Sequence, residues 1–105
     1  MDKKSALEIA QAYAMLVQEN FDVERIFLYG SYAKGTPNQN SDIDIAVIVD
    51  DIEGDYLAEQ AKLFKLRRAI DLRIEPVLLL NNRDDSGFLA EIMATGEIIY
   101  SSSGL

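Results

Sequence analysis

The amino-acid sequence predicts an α/β (α+β) fold, a sheet with helices packed on it in two layers. Two observations carry this. Runs of helical period alternate with short strand-forming runs, in the order α-β-(turn)-β-α-β-α-β. The 105 residues, 49% of them hydrophobic, suffice for one core and contain no repeat, linker or low-complexity segment. One domain over residues 1–105 is expected, with about 101–105 as a frayed tail.

Ser5-Ala6-Leu7-Glu8 reads as a capping box that opens a helix, because Ser5 and Glu8 can each satisfy a free amide at its start. Ala6, Ile9, Ala10, Tyr13, Leu16 and Val17 then recur at offsets of three and four, which continues the helix to about Asn20. Arg25 to Tyr29 is a buried strand stopped by Gly30. From Gly30 to Ser41 the composition turns to Gly, Ser, Thr, Pro and Asn, which marks a functional loop or a tight turn enclosing a single helical turn, and Gly35 reads as a local helix stop. Asp42 to Val49 is a second strand, with Ile43, Ile45, Val47 and Val49 on one face and Asp42, Asp44, Ala46 and Ile48 on the other. Leu57, Ala61, Phe64 and Arg68 lie at helical spacing from Asp55 to about Arg68. A third strand runs from Ile70 to about Leu80, and its Pro76 places it at an edge or a bulge. Ser86 is the expected cap of a last helix holding Phe88, Leu89, Ile92 and Met93, which ends at Gly96 before a short strand, Ile98-Ile99-Tyr100.

Several kinds of chemistry are excluded by composition. Cysteine and histidine are both absent, so thiol nucleophiles, zinc sites of the usual ligands and imidazole acid–base catalysis do not arise. What remains is carboxylates, hydroxyls, amines and metals bound through oxygen. A net charge of −8 disfavours broad contact with nucleic acid but leaves room for a small basic pocket. The N-terminus opens on an amphipathic pattern, and no apolar run is long enough to span a membrane, so a cytoplasmic protein is expected.

The chemistry concentrates in Gly30-Ser31, ten intervening residues, and Asp42-Ile43-Asp44. Glycine after a buried strand lets the backbone turn sharply and come close to a ligand, and Ser31 is positioned to cap a short helix whose amides face an anion. Asp42 and Asp44, two apart on a strand, share one face at about 6–7 Å. Two like charges on an apolar sheet need a neutralising partner, and a divalent cation supplies it. Magnesium takes a few carboxylates together with water and phosphate oxygens, so the pair reads as half a site for a metal-bound triphosphate. A third carboxylate is wanted, and Asp71 and Glu75, an even number apart on the third strand, both qualify.

The string Tyr29-Gly30-Ser31-Tyr32-Ala33-Lys34-Gly35 through Ser41-Asp42-Ile43-Asp44 resembles the active-site signature of the polymerase-β-like nucleotidyltransferase superfamily, and most of all its minimal, antitoxin-type branch. That resemblance implies a mixed sheet, and it assigns Gly30 and Ser31 to the triphosphate, with Lys34 and Ser41 as further nucleotide contacts. Asp42 and Asp44 would hold one or two Mg2+ ions, and Glu75 would complete the metal and catalytic set, since Arg73-Ile74-Glu75-Pro76 resembles the corresponding segment of relatives; other minimal members place an aspartate where Asp71 sits. Larger members hold the acceptor on another lobe, which this chain lacks, so the acceptor is expected from a partner. The branch typically moves AMP from ATP onto a tyrosine of a HEPN-type ribonuclease toxin, and adenylylation of such a partner is the expected function. The alternatives are a subunit that modifies a small molecule such as an aminoglycoside, or an antitoxin acting by binding alone.

Blander readings stand beside these. Asp71 and Glu75 could be ion-pair partners of Arg73 or Arg68, and Lys34 and Tyr32 could be ordinary solvated loop residues. A rival likeness to a P-loop, Gly30-x4-Gly35-Thr36, lacks the lysine after the second glycine and the long helix that must follow. Val77-Leu78-Leu79-Leu80 places apolar side chains on both faces of the third strand, and some of that surface is expected to stay exposed for self-association or for the partner.

Overall fold

The computed structural model describes residues 1–36 and 42–103. Its elements follow the expected order: α1 (Lys3–Asn20), β1 (Arg25–Tyr29), α2 (Ser31–Lys34), β2 (Ile43–Val49), α3 (Tyr56–Leu66) with a 3-10 turn (Arg67–Ala69), β3 (Ile74–Leu80), α4 (Phe88–Thr95) and β4 (Glu97–Ser101). The four strands form one mixed sheet in the order β3-β2-β1-β4. β1 is antiparallel to both its neighbours, whereas β2 and β3 run parallel, as the crossover through α3 requires.

Strand alternation sorts the side chains onto two faces. Ile43, Ile45, Val47 and Val49 join Ile26, Leu28, Ile74 and Leu78 under α1 and α3, where Tyr13, Val17 and Leu63 close the main core. On the other face Phe27, Ala46 and Ile48 pack against Leu89 and Ile92 of the short α4. Among the described residues no helix is long and apolar enough to cross a membrane.

The expected starts of α1, α4 and β3 need correction. Asp2 caps α1, accepting the Ser5 N–H at 2.8 Å, so Ser5 lies inside the helix instead of opening a capping box. At α4 the carboxylate of Asp84 takes the N–H groups of Leu89 and Ala90 at 2.7 and 2.9 Å, both shorter than the 3.3 Å bond from Phe88 N–H to Ser86 Oγ. Residues 70–73 form a turn and not the start of β3. That turn is held by Asp71, whose carboxylate accepts from the backbone N–H of Arg73 at 2.8 Å.

β3 is an edge strand, as Pro76 suggested, and α3 seals its outer side. Gln60 donates to the Pro76 carbonyl and accepts from the Leu78 N–H, both at 2.8 Å, while the Tyr56 hydroxyl donates to the Leu78 carbonyl at 2.7 Å. Arg67 donates to the carbonyls of Leu72 and Ile74. An edge so occupied has little left to offer a further strand. Of the apolar run on β3, Leu78 is buried, and Val77, Leu79 and Leu80 are half-buried against the two cores. This inward face of α3 is turned from the expected one: Leu63 is its buried residue, while Leu57 is 72% exposed and Ala61 and Arg68 face solvent.

Candidate active site

The site grows from the junction of β1, β2 and β3. Strand register pairs Tyr29 with Asp44 across β1 and β2, and Asp44 with Glu75 across β2 and β3. Three polar side chains therefore stand in one row on the face that carries Phe27, Ala46 and Val77 further along. Asp42 precedes β2 by one residue and is exposed beside this row.

Gly30 ends β1 with φ 75° and ψ −152°, a region that side chains other than hydrogen rarely enter. A second constraint acts at the same place, because a Cβ on Gly30 would run into the carboxylate of Asp44. The acid thus lies against bare backbone, and both demands point to glycine. Gly30 is also the N-cap of α2, and it has no side chain to bond the amides of the first turn. Ser31 is the first residue inside this helix, not its cap; its hydroxyl stands at the helix start. Lys34 ends α2 and is exposed, and Gly35, at φ 76°, closes the turn as expected. Tyr32, in contrast, is a core residue with 1% of its surface exposed, so it is no ligand contact. Ser41 lies outside the described residues.

The electrostatics of the row are one-sided. Burial raises the Asp44 carboxyl above the usual aspartate range, and the charges of Asp42 and Glu75 raise it further. Tyr29 is pushed up to about 12 by burial first, then by Asp44 and Glu75. The counter-charge present is Arg67, whose guanidinium reaches the Glu75 carboxylate at 3.4 Å. Asp71 is differently placed. Both its oxygens are committed to the Arg73 guanidinium, at 3.0 and 2.7 Å, and this hydrogen bonding holds its carboxyl below the usual range.

The donor set suits a hard divalent cation: oxygen ligands, excess negative charge, and a glycine turn open to phosphate. Position fits less completely, because among the described residues no three acids already stand close enough to form a ready cage. An ion held there would have to draw the carboxylates together. Two residues of this neighbourhood escaped sequence reasoning. Tyr29 was legible, since it is the last residue before the glycine and pairs with the strand of the acids. Arg67 was not, because the helical phase assigned to α3 favoured Arg68.

Residues 11–104 match the family described as "Polymerase beta, Nucleotidyltransferase". The chain belongs to the polymerase beta nucleotidyltransferase family. This nucleotidyltransferase is 36% identical over 81 residues to the protein adenylyltransferase MntA of Shewanella oneidensis, covering 76% of this chain and 55% of MntA. It is 32% identical over 80 residues to a Methanocaldococcus jannaschii protein provisionally named a protein adenylyltransferase, covering 74% of this chain and 79% of that one. The crystal structure of a toxin–antitoxin with AMP-PNP superposes with a TM-score of 0.67 at 28% identity, over 88% of this nucleotidyltransferase and 73% of that chain.

Proposed function

We propose that this nucleotidyltransferase moves AMP from ATP onto a hydroxyl of a partner protein, with Mg2+, and so acts as the antitoxin of a HEPN-type ribonuclease toxin. The observation that carries the chemistry is the row of Asp44 and Glu75, with Asp42 beside it and the bare turn of Gly30 against it. The adenylyltransferase names of its relatives support the protein acceptor, and the toxin–antitoxin structure with AMP-PNP supports both partner and nucleotide.

In this reading Gly30 and Ser31 receive the triphosphate, and Lys34 and Ser41 add contacts to it. Asp42, Asp44 and Glu75 hold the ion. When bound, Mg2+ neutralises charge on the phosphates and lowers the cost of a developing alkoxide. The acceptor oxygen bonds to the α-phosphorus, the bond from that phosphorus to the bridging oxygen breaks, and pyrophosphate departs with the electron pair. The hydroxyl proton passes to a carboxylate of the row. Glu75, with 43% of its side chain exposed, is within reach of an incoming acceptor.

The test mixes the protein with a HEPN-type toxin, Mg2+ and ATP labelled at the α-phosphate. Label transferred to the toxin, and lost with Asp42→Asn, is the expected result. Neutralisation of the toxin without any transfer would replace this reading with a binding antitoxin. Label passing only to a small molecule would replace the acceptor class.

A further inference from the structure

Arg67 is held more firmly than the carboxylate it faces. Its guanidinium donates to the Ile74 carbonyl at 2.9 Å and to the Leu72 carbonyl at 3.2 Å, and lies over the Phe64 ring at 5.0 Å. Its bond to Glu75 Oε1, at 3.4 Å, is the longest of its hydrogen bonds. Two backbone carbonyls and an aromatic face fix the cation to the 3-10 turn and the entry of β3, so when this pair separates the carboxylate is the part that moves. The pair is also lightly buried, with side chains 26% and 43% exposed, which makes it weak enough to break. Glu75 otherwise faces Asp44 across the sheet, where like charges oppose one another.

We propose that Arg67 is a positioning residue: it serves as counter-charge for Glu75 while no divalent ion is bound, and yields the carboxylate when one arrives. The inference rests on the reading of Glu75 as a metal ligand and adds a consequence to it. Glu75 is kept ordered and prevented from forming a cage with Asp42 and Asp44 on its own, so the metal binds weakly alone and is favoured when triphosphate oxygens complete its shell. All three acceptors are reached from one guanidinium nitrogen, Nη1, which has two N–H groups to share among them, so the two carbonyls are served first and the more distant carboxylate is the one released.

The probe is Mn2+ without nucleotide, with free ion counted by electron paramagnetic resonance, on the wild-type protein and on Arg67→Gln, Arg67→Lys, Glu75→Gln and Arg67→Gln/Glu75→Gln. Arg67→Gln is expected to bind Mn2+ about three- to fivefold more tightly than wild type, the scale of an exposed ion pair. Arg67→Lys, which keeps the charge but not the planar guanidinium held over Phe64, falls between the two and carries the comparison if Arg67→Gln melts too low to titrate. In the Glu75→Gln background the gain should vanish. A gain of equal size there would show a general field effect of the cation and overturn the proposal, as would unchanged or weaker Mn2+ binding with Arg67→Gln. If Glu75→Gln binds Mn2+ as well as wild type, Glu75 is not a ligand, and the underlying reading fails instead.

Discussion

Asp44 and Glu75 are direct partners across the parallel pair of β2 and β3, two acids side by side with a half-buried tyrosine, Tyr29, on the far side of Asp44. Such a pair is a cost to the folded protein unless a cation shares it, and that cost has a pH signature. The Asp44 carboxyl is raised in the folded state, by burial first and then by Asp42 and Glu75. Stability linked to its neutral form is therefore fully present below the unfolded value of 3.8 and is lost as the pH rises through the folded value. Asp44→Asn should melt level with or above wild type at pH 7, the gap should narrow towards pH 4, and transfer should be abolished. Melting curves of the two proteins over that range check it; an Asn variant that melts well below wild type at pH 7 would make Asp44 a structural residue.

For the third acid, Glu75→Gln is expected to reduce turnover by about 100-fold or more, the scale of a lost acid–base or metal-holding group. Asp71→Asn should leave turnover close to wild type, because its carboxylate is occupied by Arg73 and serves the turn before β3. Its effect falls on stability, and with the opposite pH sense to Asp44: the lowered carboxyl of Asp71 stabilises above the unfolded value of 3.8 and loses this as the pH falls through the folded value. Initial rates with saturating ATP compare the two variants, and the reverse order of activity would transfer the role to Asp71.

Much of this was legible in the sequence, and what was missed has a common cause. β1 was readable to the residue because an apolar run ends on glycine, and the two faces of β2 followed from strict alternation. α3 was misphased because its inward face is partly polar. Gln60 and Arg67, both half-buried, turn toward β3 to satisfy its backbone, and apolar periodicity is blind to a residue placed for its hydrogen bonds. The caps failed similarly. A serine near the start of a helix is a good guess, but an aspartate at hand, Asp2 or Asp84, accepts the amides with a full charge. The link of Arg67 to Glu75 joins elements whose relative placement no local pattern reports.

Gly30→Ala tests the contact between turn and acid. Backbone strain at this φ and ψ alone should cost about 1–3 kcal/mol, and the collision with the Asp44 carboxylate adds to it. Gly35→Ala provides the comparison, since it is also at positive φ but has open space around it, and it should cost less. The decisive measurement is a double-mutant cycle in denaturant: in an Asp44→Ala background the cost of Gly30→Ala should shrink, because the carboxylate is gone. An identical cost in both backgrounds would mean that Asp44 does not rest on Gly30.

The sealed edge of β3 makes the last prediction. Gln60 meets both the Pro76 carbonyl and the Leu78 N–H, while Tyr56 meets the Leu78 carbonyl, so the strand that would be the natural place for chain-to-chain pairing is already satisfied within the molecule. Gln60→Ala uncovers a donor and an acceptor together. Where solvent does not fully replace the lost bonds this costs about 1–3 kcal/mol, and it leaves an edge whose neighbours Leu79 and Leu80 are apolar and half-buried. The variant should melt lower than wild type and associate more strongly with rising concentration in sedimentation velocity. Tyr56→Phe, which frees one acceptor and keeps the ring, should show a smaller shift in the same direction. If Gln60→Ala sediments as wild type does at every concentration, the glutamine is not what guards this edge.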